Sequence, residues 1–237
     1  MGLSLDLEHF TAAEVLSWAI STYANRFGIA TSFQKEGVAI IDLACRAAGP
    51  GGCRVFTLDT GRLPEETHRM MEAVRERYGI SVETVSPERE EIEPMVAAHG
   101  PNLFYQSPAL RETCCEIRKV RPLARKLREF QAWATGLRRD QSETRAGVRK
   151  VEEIDGRIRL SPLVDWTAEQ VEEYTRQNRL PVHPLYQRGY ASIGCAPCTR
   201  AVAPGEGQRA GRWWWEDRTA KECGIHFAAG GAVKRDA

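Results

Sequence analysis

The sequence has no surplus of either charge. Thirty-three basic residues stand against thirty-two acidic ones, a net charge of +1 over 237 residues, so no global field draws the chain to nucleic acid or to anionic lipid. It has no apolar run approaching the roughly 18 residues needed to span a bilayer. The segment MGLSLDLEHF has neither a basic n-region nor an apolar h-region, and Asp6 stands where a myristoylation signal needs Ser or Thr. These absences lead us to expect a cytoplasmic protein with no membrane and no nucleic-acid partner. Neither G-x-G-x-x-G nor G-x-x-x-x-G-K-[ST] occurs, which excludes two common phosphate loops. Any phosphate recognition must therefore be local. Internal repeats and low-complexity tracts are also missing.

What is present is a chain with 42% hydrophobic residues, enough for one large core with an appendage. The pattern predicts one domain over 1–202 and a flexible arm over 203–237. From about residue 11 to 160, helix-like and strand-like stretches alternate, the signature of an α/β fold with a mostly parallel sheet flanked by helices. TAAEVLSWAISTYANR is a predicted helix closed by Gly28, and Ile29 to Ser32 a short strand. RVFTLDTG reads as strand and turn. PEREEIEPMVAAHG reads as a helix with a solvated acidic face, and EIRKVRPLARKLREF as a basic amphipathic helix interrupted at Pro122. RAGVRKVE and GRIRLSPL suit a hairpin or an edge. Thr167 caps the helix TAEQVEEYTRQNR, with the capping-box offset. Beyond Leu180, Pro and Gly dominate and no period survives, as expected of irregular backbone wrapped around a site.

Seven cysteines, an odd number in a chain expected to stay reduced, point to metal ligation or thiol chemistry rather than a disulfide framework. Cys45 in LACRAA and Cys53 in GCRVFTL read as small buried hydrophobes. Cys114-Cys115 and Cys195-x-x-Cys198 lie about 80 residues apart and supply four sulfurs, the ligand count of a zinc or iron-sulfur site. Adjacent cysteines chelate a single ion only with strain, whereas a cubane offers each its own iron corner; zinc and a redox disulfide system stay as alternatives. Cys223, in KECGIHF, has Lys221 and His226 nearby. Cationic neighbours raise the thiolate fraction a nucleophile requires.

Three strand-to-helix turns are candidate nucleotide contacts: TSFQKEG with Ser32, Gln34 and Lys35, LDTGRLPEE with Asp59, Thr60, Gly61 and Arg62, and GLRRDQSETR with Gly136 and Arg138, Arg139 and Arg145. Taken singly, each also reads as an ordinary capped turn or a solvated loop. Arg209 and Arg212 precede Trp213-Trp214-Trp215, and paired guanidinium groups suit phosphate or sulfate. Three successive tryptophans cannot all face one core, so at least one should be exposed.

In order, SFQKEG, LDTGRLPEET, CC-x-x-x-K, GLRRDQS, C-x-x-C and KECGIH resemble the assimilatory adenylyl-sulfate reductases, relatives of the 3′-phosphoadenylyl-sulfate reductases, over about residues 28–227. The resemblance implies a modified pyrophosphatase-type fold of the adenine nucleotide alpha hydrolase kind. It implies reduction of adenylyl sulfate to sulfite and AMP in sulfate assimilation towards cysteine, with thioredoxin or glutaredoxin as reductant. It makes Cys114, Cys115, Cys195 and Cys198 ligands of a [4Fe-4S] cluster and Cys223 the nucleophile that carries an S-sulfocysteine. Ser32, Leu58 and Gly136 would line the nucleotide pocket; Lys119, Arg209, Arg212 and His226 would meet the phosphosulfate. The loop SFQKEG departs from the smaller SFGAED-like form of many relatives, and Lys35 there could favour the 3′-phosphorylated substrate. Other readings are an iron-sulfur RNA-thiolating ATP pyrophosphatase and a cluster-based redox sensor, and self-association is compatible with the sequence.

Overall fold

The computed structural model describes residues 7–49 and 51–216. Helix α1 (Ala12–Tyr23) begins where Thr11 accepts the Glu14 N–H and the Glu14 carboxylate reaches back to the Thr11 N–H, a capping box. Its buried residues Ala12, Val15, Leu16 and Ala19 recur at helical spacing and pack on α2 (Lys35–Ala48). Strand β1 (Phe27–Ala30) starts earlier than the sequence suggests, and Gly28 lies inside it rather than closing α1. The reason is steric: a Cβ on Gly28 would sit 2.7 Å from the Phe130 ring.

The remaining elements are β2 (Arg54–Leu58), α3 (Glu65–Tyr78), β3 (Val82–Val85), α4 (Arg89–His99), α5 (Pro108–Cys115), α6 (Arg121–Leu127), β4 (Ala132–Ala134), β5 (Val151–Ile154), β6 (Arg157–Leu160) and α7 (Ala168–Gln177). The sheet runs β3-β2-β1-β4-β6-β5. β1 pairs in parallel with β2 and β4, and β4 with β6. β5 and β6 form the expected hairpin at the edge. Its turn, Asp155-Gly156, has φ of 49° and 72°, the left-handed pair that suits strand twist. Because the chain leaves β1 towards β2 and β3 and returns on its other side as β4, strand order reverses between β1 and β4. Open α/β sheets bind ligands at the carboxyl ends of strands at such a point.

The chain divides into two compact units. The first comprises the described part of Met1–Thr57, with Glu65–Glu83 and Glu129–Gln187. It holds the main core, including Leu16, Phe27, Ile29, Ile40, Ile41, Val55 and Leu160. Buried Asp42 accepts hydrogen bonds from Tyr78 and Tyr174, at 3.0 and 2.6 Å, tying α2, α3 and α7 together. Capping of α7 by Thr167 is as the sequence predicts.

The second unit comprises Leu58–Pro64, Thr84–Arg128 and the described part of Arg188–Ala237. Residues 203–216, expected to open a separate arm, are grouped with it. Its own core is Met95, Leu103, Phe104, Ile117, Trp213 and the four paired cysteines. Met95 is the one buried residue of α4, whose acidic face is solvated as expected. The basic helix of the sequence reading is two pieces: a π-helix over Glu116–Val120 precedes α6. Pro122, in the first turn of α6, has no N–H to close an α-helical bond to the Arg118 carbonyl. Wide turns of this kind cluster at functional sites. Among the described residues, no helix is long and apolar enough to cross a membrane.

Candidate functional site

Cys114 and Cys115 end α5, and their adjacency on a helix points the side chains about 100° apart. Cys195 and Cys198 bracket a 3₁₀ turn, Ala196–Cys198. Thr199 holds that turn by donating to the Cys195 carbonyl and accepting the Gly194 N–H, each at 3.1 Å. The Ala196 N–H donates to the Arg62 carbonyl at 2.8 Å, and the Trp213 N–H to the Cys198 carbonyl at 3.3 Å. All four thiols are free and buried, and they line one cavity with Arg62, Arg111, Arg118 and Lys119. Every one of these residues belongs to the second unit.

Thr60 Oγ1 lies 3.2 Å from Cys195 Sγ, and Arg118 donates to the Thr60 carbonyl at 2.7 Å. Burial pushes the Cys114 thiol up, opposed by the positive charges of Arg118 and Lys119. Burial and the neighbouring Cys195 push Cys198 up to about 11. Metal binding would have to displace these protons. Among the described residues, no group of three or more His, Cys, Asp or Glu side chains could hold a single metal ion.

Around the thiols stand N–H groups that lack partners. Arg212 Nε, Trp213 Nε1 and Trp215 Nε1 are buried with no hydrogen-bond acceptor among the described residues. Such orphans are rare and costly unless something accepts from them. Trp213, at φ 42°, is fully buried, while Trp214 is exposed, as three successive tryptophans require. Arg212 is buried against Gly194, where a Cβ would come within 2.5 Å of its guanidinium, and over the Trp213 ring at 4.9 Å. Arg209 is half-buried on the same segment. An all-sulfur donor set lined by four cationic side chains, Arg62, Arg111, Arg118 and Lys119, fits an anionic iron-sulfur group.

The expected nucleotide contacts lie at strand ends. Ser32 follows β1, is exposed and accepts from the Gln34 amide at 3.0 Å. Phe33 beside it is buried at φ 56°, a strained conformation for a bulky residue of the kind that clusters at binding loops. Gly136 follows β4, and a Cβ there would meet Glu36 Cβ at 2.8 Å. Leu58 is the last residue of β2. The arginines near Gly136 are engaged: Arg138 pairs with Glu36 and Asp140, each at 2.9 Å, and Arg139 with Asp165. Lys35 pairs with Glu172 and lies 4.4 Å from the Tyr186 ring centroid. Cys223 and His226 lie outside the described residues.

Sequence reasoning passed over Arg111, Arg118 and the Thr60 hydroxyl as neighbours of the cysteines. Arg111 stands one helical turn before Cys114 and Cys115, and that i, i+3 and i, i+4 spacing was the available signal. No sequence spacing points from Thr60 to Cys195.

A family profile described as the phosphoadenosine phosphosulfate reductase domain matches residues 26–201. The chain is 52% identical over 175 residues to an adenosine 5′-phosphosulfate reductase of Burkholderia cepacia, covering 73% of this chain and 70% of the relative. To the enzyme of that name from Allochromatium vinosum it is 45% identical over 199 residues, covering 83% and 77%. A crystal structure of phosphoadenylyl-sulfate reductase from Candida auris, a phosphate complex, superposes with a TM-score of 0.68 at 26% identity, covering 85% of this chain and all of that one.

Proposed function

The chain belongs to the phosphoadenosine phosphosulfate reductase domain family, and from that membership we propose that it reduces adenylyl sulfate to sulfite and AMP in sulfate assimilation. The observation that carries this reading is the meeting of Cys114, Cys115, Cys195 and Cys198 around one cavity lined by Arg111, Arg118 and Lys119, in a chain about half identical to reductases named for adenosine 5′-phosphosulfate. The four cysteines would hold a [4Fe-4S] cluster. Adjacent cysteines, which chelate a single ion only with strain, favour a body with separate iron corners over zinc. When bound, that group supplies a buried anionic centre that organises the surrounding cations.

The chain's own residues then do the chemistry. Cys223, as thiolate, attacks the sulfur of adenylyl sulfate; the S–O bond to the phosphate breaks and AMP leaves with the electron pair. An S-sulfocysteine remains. A thiol of thioredoxin or glutaredoxin attacks the Cys223 sulfur, sulfite departs, and a second thiol resolves the mixed disulfide, returning Cys223 to its reduced state. Ser32, Leu58 and Gly136 contact the nucleotide. Lys119, Arg209, Arg212 and His226 offset the charge of the phosphosulfate. The reaction needs neither membrane nor nucleic acid, which agrees with a cytoplasmic setting.

The second reading, a 3′-phosphorylated substrate, is favoured by the likeness to the Candida auris enzyme. Against it, the Lys35 ammonium is already paired with Glu172. Incubating iron-replete protein with adenylyl sulfate and no reductant tests the proposal. It predicts one sulfonate adduct per chain on Cys223 with equimolar AMP; well-folded protein that forms no adduct would refute it. Comparing kcat/KM for the two substrates separates the readings, and a preference for the 3′-phosphorylated one reverses the choice.

A further inference from the structure

Two cysteines outside the cavity meet in the first unit. Cys45 lies in the last turn of α2 and Cys53 immediately before β2. Their sulfurs are 3.7 Å apart, in contact but not bonded, and both thiols are free. The turn between them is tightly folded: the Gly49 N–H donates to the Cys45 carbonyl at 2.9 Å and the Gly52 N–H to the Gly49 carbonyl at 3.2 Å. A Cβ on Gly52 would stand 2.5 Å from the Ala48 carbonyl oxygen, and Gly49 has a φ of 78°.

We propose that Cys45 and Cys53 form a redox-active dithiol, a second thiol site that a hydroperoxide oxidises to a disulfide and a dithiol reduces again. The pair is already polarised. The hydrogen bond from Cys45 pulls the Cys53 thiol below its ordinary range, while the same bond and burial push Cys45 up. Of the two thiols Cys53 gives up its proton more easily, and the thiolate is the form that reacts with peroxide. Cys53 attacks one peroxide oxygen, the O–O bond breaks, and a sulfenic acid forms with release of hydroxide or water. Cys45 then attacks the Cys53 sulfur, the S–O bond breaks, and a second water leaves carrying the Cys45 proton. Two thiols have lost two electrons to one peroxide. Cys45 is half-buried rather than enclosed, which gives small oxidants and reductants a route to the pair.

Trypsin cuts after Lys35, Arg46 and Arg54, so it releases residues 36–46 and 47–54 as separate peptides that only a Cys45–Cys53 bond can hold together. The full-length, iron-replete protein is titrated with hydrogen peroxide, alkylated, digested and analysed by mass spectrometry. The joined peptide pair should grow with peroxide, return to two alkylated peptides after dithiothreitol, and vanish in Cys45→Ser, where Cys53 is recovered as sulfenic or higher acid. The proposal is overturned if no joined pair appears at peroxide doses that already modify other thiols, or if the pair forms only after unfolding in urea. Cys45→Ala in parallel guards against a folding defect of the serine variant, and the linked peptide is read independently of reductase activity.

Discussion

Arg111 and Glu216 meet as a two-point ion pair, Nε to Oε1 at 2.9 Å and Nη2 to Oε2 at 3.2 Å, with both side chains almost wholly buried. The Arg111 guanidinium also lies 4.6 Å from the Trp213 ring centroid. One residue lies within the helix that ends in Cys114 and Cys115, and the other closes the described chain after the tryptophans. The pair thus fastens that segment to the cysteine helix within the second unit.

Breaking the pair on one side leaves a buried charge uncompensated. Arg111→Met should cost about 3–5 kcal/mol, read by urea denaturation of the iron-replete protein. Arg111→Met combined with Glu216→Leu should recover most of that loss, because removing both charges also removes the desolvation penalty. Equal losses in the single and double variants would mean that packing of the arginine stem, not charge pairing, is what matters.

Cys114→Ser removes one of four buried sulfurs and should abolish most of the bound iron and sulfide, together with the visible absorption of anaerobically purified protein. Cys45→Ser should leave all three unchanged. Retention of full iron content in Cys114→Ser would exclude this thiol as a ligand.

Gly136→Ala inserts a methyl group 2.8 Å from Glu36 Cβ, at the start of α2. The overpacking should cost about 1–3 kcal/mol and raise KM for the nucleotide substrate, since the turn after β4 must shift. Unchanged thermal stability and KM would show that the turn relaxes freely.

The engagement of Lys35 by Glu172 predicts a specificity effect. Glu172→Gln should release the ammonium and raise kcat/KM for the 3′-phosphorylated substrate up to about fivefold, the scale of a partly exposed ion pair. Lys35→Ala in that background should cancel the gain. A Glu172→Gln enzyme whose substrate ratio does not move would take Lys35 out of substrate choice.

His183 is buried with one tautomer: Nδ1 accepts the Leu185 N–H at 3.3 Å, so Nε2 carries the proton and donates to Thr67 at 3.0 Å. Burial lowers its pKa, against a smaller opposing pull from Glu66. The unfolded chain takes up a proton below about pH 6.5, while the folded chain resists doing so until lower pH. Its contribution to stability is therefore complete above that value and is lost as pH falls towards the folded pKa. Tm measured between pH 8 and pH 5 should fall on the acid side, and His183→Gln should flatten that fall. A parallel decline in both proteins would assign the acid sensitivity to other groups.

Much of the fold was legible because its signals are local. Helical spacing in α1 and the Thr167 cap each act over a few residues, so the chain encodes them without reference to its folded partners. Gly28 was misread for the same reason. A glycine after a helical pattern signals a stop locally, but its role is set by Phe130, which lies about 100 residues on. The π-helix over Glu116–Val120 hid because the apolar spacing of a basic helix continues through it, and Pro122 gave the only hint.

The sequence by itself determined the donor chemistry: four thiols in two pairs, a lysine four residues beyond Cys115, and alternating helices and strands that demand a mostly parallel sheet. Side-chain type and short spacing carry that information, since they fix which atoms can bind metal or phosphate. Only the tertiary structure decided which distant groups share a space. It brought Arg111 to Glu216 and Thr60 to Cys195, spent Lys35 on Glu172, and turned two seemingly inert cysteines into a touching pair. Contacts between residues far apart in the chain depend on how elements pack, and packing is a property of the whole core rather than of any segment.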